Sequence, residues 1–203
     1  MEALFWSEAK VIGILPIHAP WEGPKGRPVS VVDPDRFEYS GSLSRLPTTA
    51  APNTVGRSFT IDAEVNLPRE GVGGVIVTHG GRFGGYNLFM DRGAPVFCYN
   101  ALGREQYVVR ADRPLGAGVH HIRLQLRISK PVPGSGGTFT LTADGLQCGA
   151  IEAERAIATR NALREGFDIA SDSLTPACNL YELEASARQG AVEKLVVTFS
   201  GDD

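Results

Sequence analysis

Hydrophobic and polar residues alternate with a period of two over much of the chain. From Phe59 to Leu67 the apolar side chains occupy every second position, and the same alternation recurs over residues 122–128. A period of two is typical of a strand with one buried and one solvated face. Seven further segments have a strand-like composition: Gly74–Thr78, Tyr86–Met90, Val96–Asn100, Gln106–Arg110, Thr138–Ala143, Gln147–Ile151 and Lys194–Phe199.

Short turns separate these segments. Asp91–Gly93 and Ala101–Gly103 lie between strand candidates, and Asp144-Gly145 is a strong hairpin signal. Tight turns predict antiparallel pairing, because parallel strands need long crossover connections. We therefore predict an all-β fold over residues 36–203, an antiparallel two-sheet sandwich of the concanavalin A-like or jelly-roll type.

The first 35 residues follow a different pattern. Residues 2–15 place their apolar side chains on one stripe, which predicts a short N-terminal helix. The residues that follow, up to residue 35, contain five prolines and two glycines. This composition is typical of an extended connector. The sequence thus predicts a helix and a Pro/Gly-rich connector over residues 1–35, ahead of the sandwich.

Charge and cysteine content narrow the range of functions. The net charge is only -3 and both signs are interspersed, which argues against a nucleic-acid partner. No apolar stretch is long enough to span a membrane, and no signal peptide is evident. The three cysteines show no CxxC motif, which argues against a disulfide framework and a structural zinc site. We therefore expect a cytoplasmic protein.

Two aspartates suggest calcium, the one cofactor that the sequence offers a site for. Asp168 and Asp172 lie four residues apart in a loop-like stretch, and calcium prefers oxygen ligands of this kind. They are candidate calcium ligands, although turn formation is the commoner role of such residues. His79, His120 and His121 lack the spacing of a metal site, so we expect them to be exposed or locally hydrogen-bonded.

No motif predicts catalysis. The glycine-rich segment Gly80–Gly85 precedes a strand pattern and not a helix, which favours a tight hairpin over a phosphate-binding loop. The nucleophile motif Gly-x-Ser-x-Gly is absent. Asp62 and Glu64 share one strand face, and a solvated outer face explains them more simply than paired catalytic carboxylates. The sequence predicts that the chain is not an enzyme.

Two blocks in the middle of the chain carry a family resemblance, Gly74–Tyr86 and Pro95–Asn100. They resemble the C-terminal, non-catalytic region of bacterial formylglycine-dependent arylsulfatases. The weaker matches are Leu4–Pro16, Arg57–Ile61, Ala63–Val65, Gly136–Thr138, Asp144-Gly145 and Phe167–Ile169. The resemblance therefore covers nearly the whole chain.

The resemblance implies an accessory β-sandwich domain with a packing or oligomerisation role. The family's nucleophile motif, Cys or Ser followed by x-Pro-x-Arg, is absent here, so no catalytic residue can be assigned. An N-terminal helix of this kind would dock through its apolar stripe on its own sandwich, on a second copy or on a separate catalytic domain. The docking residues would be Leu4, Phe5, Trp6, Val11 and Ile12.

A lectin-like carbohydrate-binding module, with or without help from calcium, is the alternative. Concanavalin A-like sandwiches often bind glycans through an aromatic platform and nearby polar groups. The candidate ligand-binding residues are Arg82, Tyr86 and Tyr99, although aromatic residues in strands more often belong to the core. A glycan is therefore the second expected partner.

Overall fold

The computed structural model contains two antiparallel β-sheets of six strands each. It describes residues 6–8, 11, 34–160, 165–181 and 191–200. The predicted all-β, two-sheet sandwich is confirmed. The chain divides into two units, Met1–Val32 and Asp33–Asp203, and every strand belongs to the second unit. The described residues 6–8 and 11 have helical backbone, and the rest of the predicted helix and connector lies outside the described residues.

Within the described residues, twelve strands build the two sheets. They are β1 (Arg36–Ser40), β2 (Leu43–Leu46), β3 (Phe59–Leu67), β4 (Gly74–Gly81), β5 (Gly84–Asp91), β6 (Ala94–Ala101), β7 (Glu105–Arg110), β8 (Gly118–Ile128), β9 (Ser135–Ala143), β10 (Leu146–Arg155), β11 (Phe167–Ile169) and β12 (Ala191–Phe199). Sheet A has the strand order β1-β12-β3-β8-β9-β10, and sheet B has the order β2-β11-β4-β5-β6-β7.

Alternation along the strands explains the core between the sheets. In β3 every second side chain, starting at Phe59, is at most 2% exposed, and the residues between them face outward. Aromatic rings join the two sheets: the Phe139 ring of sheet A lies 4.8 Å from the Phe97 ring and 5.0 Å from the Tyr99 ring, measured between centroids. Burial of these large apolar side chains is the main source of stability.

The strands at the centre of sheet B are buried on both faces. Nearly every residue of β4, β5 and β6 is buried, including those that point away from the core. Residues 170–181, which we call the strap, pack against the outer face of sheet B, the face that points away from sheet A. Tyr181 of the strap packs against the apolar outer-face cluster of Val75, Phe89 and Val96. This second covered face is why the central strands of sheet B lack a polar side.

A disulfide between Cys98 and Cys178 joins the strap to β6. Both cysteines are at most 1% exposed, and 80 positions separate them in the sequence. Cys148 is a free, half-buried thiol. The sequence argument against disulfides is thus wrong for one pair, because neither spacing nor count shows which distant strand a loop cysteine will face.

Two glycines with open surroundings allow a matched test of backbone strain. Among the described residues, no atom lies within 4 Å of a Cβ built at Gly116 or at Gly145, but only Gly145 has positive φ, at 80°. We expect Gly116→Ala to raise the free energy of unfolding by about 0.5 kcal/mol, because alanine restricts the unfolded chain. Gly145→Ala should lower it by about 1 kcal/mol, because a Cβ is disfavoured at positive φ. Urea denaturation measures both, and shifts of the same sign would contradict this explanation.

Candidate functional site

Tyr86 and Tyr99 lie in the core and not on the surface. Tyr86 is 0% exposed and its ring packs against Phe59 and Phe97. Tyr99 is 6% exposed, and its hydroxyl accepts a hydrogen bond of 2.8 Å from the amide of Ile157. Burial raises the pKa of Tyr99 to about 12. Because both side chains belong to the inward-facing row of sheet B, the structure does not support a sugar-stacking role for either ring.

Arg82, by contrast, is exposed in the turn that joins β4 to β5. The tight hairpin predicted for the glycine-rich segment is observed there. Phe83, the next residue, is 76% exposed. The turn between β6 and β7 lies at the same end of sheet B, since the strands are antiparallel, and it presents Leu102, 48% exposed, and Arg104. We call these four residues, Arg82, Phe83, Leu102 and Arg104, the tip.

Polar groups beneath the tip hold its two turns together. Asn100, which is 1% exposed, donates through Nδ2 to the carbonyl oxygen of Arg82 at 3.0 Å. Its Oδ1 accepts from the amide of Gly103 at 2.7 Å. The amide of Arg82 donates to Thr175 Oγ1 of the strap at 2.9 Å. The turns therefore have a fixed backbone geometry while their side chains point into solvent.

The two arginines of the tip form no ion pair with the described residues, whereas the adjacent Glu105 pairs with Arg155 at 3.5 Å. Glu165, whose carboxylate lies beside Gly81 at the β4–β5 turn, accepts hydrogen bonds from the amide and the hydroxyl of Thr175. Two guanidinium groups on the exposed turns are therefore available to an anionic ligand.

The sequence analysis identified Arg82 and missed the rest of the tip. Phe83 stands inside a glycine-rich turn, outside any alternating segment, and such an aromatic residue has no strand neighbour to pack against. The position of Phe83 in a turn was thus the signal in the sequence that its side chain is exposed. Leu102 and Arg104 could not be associated with it, because the pairing of β5 with β6 that aligns the two turns is a tertiary feature.

Asp168 and Asp172, the candidate calcium ligands, form hydrogen bonds that shape the strap. Asp168 is 3% exposed and accepts from the amides of Arg45 and Ser173, the latter at 2.8 Å. Asp172 accepts from the Tyr181 hydroxyl, and burial raises the pKa of this carboxyl. No group of three or more His, Cys, Asp or Glu side chains in the described residues could hold a metal. The calcium site stays a prediction.

The three histidines differ in their surroundings. His120 Nδ1 lies 2.7 Å from a carboxylate oxygen of Asp144, and His121 Nε2 lies 3.1 Å from a carboxylate oxygen of Asp62. Both thus fit the expectation of locally bonded histidines. His79 does not: it is 0% exposed, and neither ring nitrogen has a hydrogen-bond partner among the described residues. It packs edge-on against Tyr86 and Phe167, which is why an aromatic core accepts it.

The proposed docking helix is only partly described. Trp6 is 48% exposed and Val11 is 85% exposed, whereas Leu4, Phe5 and Ile12 lie outside the described residues. A docking role for these residues stays a prediction. Across the part of the chain that the structure describes, no helix has the length and apolar character needed to cross a membrane.

No protein-family model matches this chain, and no curated protein matches it either. Solved structures do. The CBM40 carbohydrate-binding module of the Ruminococcus gnavus IT-sialidase, bound to α2,6-sialyllactose, has a TM-score of 0.55 at 12% identity, over 82% of this chain and 95% of that one. The NanB sialidase of Streptococcus pneumoniae has a TM-score of 0.59 at 11% identity, over 82% of this chain and 27% of that one. Domains LG4-5 of the mouse laminin α1 chain have a TM-score of 0.51 at 14% identity, over 80% and 40%.

These likenesses correct the family resemblance. The similar structures are carbohydrate-binding modules, sialidase domains and laminin G domains, and no sulfatase is among them. The assignment to the arylsulfatase C-terminal region is therefore wrong. Its two main matches, Gly74–Tyr86 and Pro95–Asn100, lie in strands and turns of sheet B and are rich in glycines, aromatic residues and β-branched residues, a composition that many sandwiches share. No similarity supports an oligomer or a separate catalytic partner. At these identities the comparisons establish one thing: the chain shares the two-sheet β-sandwich fold of these domains.

Proposed function

We propose that this chain is a carbohydrate-binding module that binds an acidic glycan at the tip. One observation carries the proposal: an exposed phenylalanine lies next to a guanidinium group that forms no ion pair with any described residue, on a turn fixed by a buried asparagine. The likeness to a module whose structure contains a sialylated sugar supports the choice of ligand class. This is the lectin-like reading of the sequence, with a different set of residues.

The chemistry of the tip suits a sugar acid. The Phe83 ring offers an apolar face to the C–H groups of a pyranose, and Leu102 extends that apolar surface. A guanidinium binds a carboxylate through two parallel hydrogen bonds, which gives both charge and geometry. Arg82 and Arg104 flank the apolar residues and can supply this group. A neutral sugar would use only the apolar part of the tip.

Rigid turns allow a surface as small as the tip to bind a ligand. Ordering a mobile loop around a ligand costs binding free energy, about 0.5–1.5 kcal/mol for each immobilised side chain. Here Asn100 and Thr175 already fix the Arg82 backbone at its carbonyl and its amide. The ligand therefore has to order only the side chains of the tip.

Calorimetric titration with α2,6-sialyllactose and with lactose tests the proposal. We expect the sialylated sugar to bind, and lactose to bind about tenfold more weakly or not at all, which corresponds to about 1.4 kcal/mol. Raising the salt concentration should weaken binding of the sialylated sugar, because exposed charges are screened. Absence of binding across a panel of sialylated, uronic-acid and sulfated glycans would overturn the proposal.

Variants of the tip then locate the site. Phe83→Ala and Arg82→Gln should each weaken binding about tenfold. Leu146→Ala is a matched control, because Leu146 is 75% exposed and lies on sheet A. Arg92→Gln is the second control, since the Arg92 side chain is 92% exposed in the β5–β6 turn at the other end of sheet B. Equal losses in tip variants and controls would place the ligand elsewhere.

A further inference from the structure

The Arg82 backbone is held by side chains from two different parts of the chain. Its amide donates to Thr175 Oγ1 of the strap, and its carbonyl oxygen accepts from Asn100 Nδ2 of β6. Thr175 is in turn fixed by Glu165, which accepts from both the Thr175 amide and the Thr175 hydroxyl. The position of this exposed turn is thus decided by groups that a ligand at the tip would not touch.

Asn100 connects three segments at once. Besides Arg82, its Nδ2 donates to the carbonyl oxygen of Ala177 at 2.8 Å, and its Oδ1 accepts from the Gly103 amide. The three partners belong to the β4–β5 turn, the β6–β7 turn and the strap. Both amide hydrogens and the amide oxygen of Asn100 are therefore used, in a site that is 1% exposed.

The disulfide fixes the strap next to this asparagine. Cys98 and Asn100 are two residues apart on β6, so their side chains point to the same face of sheet B. Cys178 follows directly after Ala177, whose carbonyl Asn100 binds. The covalent bond therefore keeps the Ala177 carbonyl within reach of the asparagine.

We propose that Asn100 is a positioning residue for the tip: through the strap and the two turns it sets where Arg82 and Phe83 stand relative to Leu102 and Arg104. The ligand-binding part of this inference rests on the proposed function. Without the side-chain amide, the carbonyls of Arg82 and Ala177 and the amide of Gly103 lose their partners, and the turns move relative to each other. A ligand that spans both turns then has to order them again, and binding weakens.

Three variants separate positioning from general stability. Asn100→Ala removes all three bonds, and Thr175→Val removes the acceptor for the Arg82 amide at a less buried position. Asn87→Ala is the matched control: Asn87 is also a buried asparagine on the outer face of sheet B, and it donates to Tyr181 of the same strap, but it forms no hydrogen bond with either turn in the described residues. In this variant the disulfide stays in place between Tyr181 and the strap residues that contact the turns, and Tyr181 keeps its hydrogen bond to Asp172.

Two readouts are taken at a temperature where circular dichroism shows every variant folded. Hydrogen exchange of the Arg82, Phe83 and Gly103 amides reports on the turns without any ligand. Affinity for α2,6-sialyllactose reports on the site. We expect Asn100→Ala to speed the exchange of the Gly103 amide and weaken affinity, each about tenfold, and Thr175→Val to do the same for the Arg82 amide and affinity, whereas Asn87→Ala changes neither.

Each outcome decides a different claim. Wild-type exchange rates in Asn100→Ala and Thr175→Val overturn the positioning role, whatever the affinity. Faster exchange with unchanged affinity also overturns it, because the turns then move without consequence for the ligand. If the wild-type chain binds no glycan, the proposed function fails, and the exchange rates alone decide whether Asn100 sets the geometry of the turns. If Asn100→Ala does not fold, the isosteric Asn100→Asp, which cannot donate to the carbonyls of Arg82 and Ala177, takes its place, with the Phe83 amide and the affinity as readouts.

Discussion

Replacing both Cys98 and Cys178 by alanine is expected to lower the free energy of unfolding by about 4 kcal/mol. The bond closes a loop with a sequence separation of 80 residues, and cross-linking a loop of that length restricts the unfolded chain by about this amount in the chain-entropy model. Both side chains are buried, so the alanines also leave small cavities. The expected loss is a large fraction of the total stability of a typical domain.

Guanidinium denaturation of the double variant measures this loss. Cys148→Ala is the control, since this cysteine is free and only half-buried, and its replacement should change stability by less than about 1 kcal/mol. A loss below about 1 kcal/mol in the double variant would contradict the prediction. It would mean that Tyr181 and Asn100 hold the strap without covalent help.

Acidification from pH 7 to pH 5 should destabilise the protein by about 2 kcal/mol through His79 alone. Burial, and then the nearby positive charge of Arg160, lower the pKa of His79 to about 3, whereas an unfolded histidine titrates near 6.5. Below pH 6.5 the unfolded chain therefore binds a proton that the folded chain does not. Stability is fully present above pH 6.5 and is lost toward pH 3, at up to about 1.4 kcal/mol per pH unit.

His79→Phe isolates this contribution. Phenylalanine has a similar shape and keeps the edge-on packing of the ring against Tyr86 of β5 and Phe167 of β11. In the described part of the chain, the titratable or charged groups beside His79 are Tyr86, whose pKa burial raises, and Arg160. We expect the stability difference between pH 7 and pH 5 to shrink by about 2 kcal/mol in the variant. The exposed His121, replaced by glutamine, serves as the control. Parallel pH profiles for the wild type and His79→Phe would refute the explanation.

Much of the fold could be predicted from local patterns. The alternation from Phe59 to Leu67 corresponds to β3, and the Asp144-Gly145 hairpin joins β9 to β10. The short strands β1, β2 and β11 were not predicted, since three to five residues show no clear period. The sequence of the strap shows no periodic pattern of apolar residues, because it contacts β4, β5 and β6 through single side chains and not through a regular strand or helix.

The site was harder to predict, because the sequence does not show which side chains near the β4–β5 turn point inward and which point into solvent. Tyr86 and Arg82 are four positions apart, yet one lies in the core and the other in solvent, because a turn intervenes and the strand begins at Gly84. A strand sequence with both faces buried gives no polar alternation to show which residues point inward. Asn100 reads as an ordinary polar residue at a strand end, and only the folded structure reveals its three partners.

The buried disulfide also orders the steps by which the chain matures. Thiol oxidation and exchange need access of a thiolate or an oxidant to the sulfur, and both sulfurs become inaccessible once the strap covers sheet B. The bond therefore has to form while residues 170–181 are still open, in an oxidising environment. A chain that folds first under reducing conditions would close two unreacted thiols beneath the strap. Adding an oxidant afterwards would reach the half-buried Cys148 before it reached the pair.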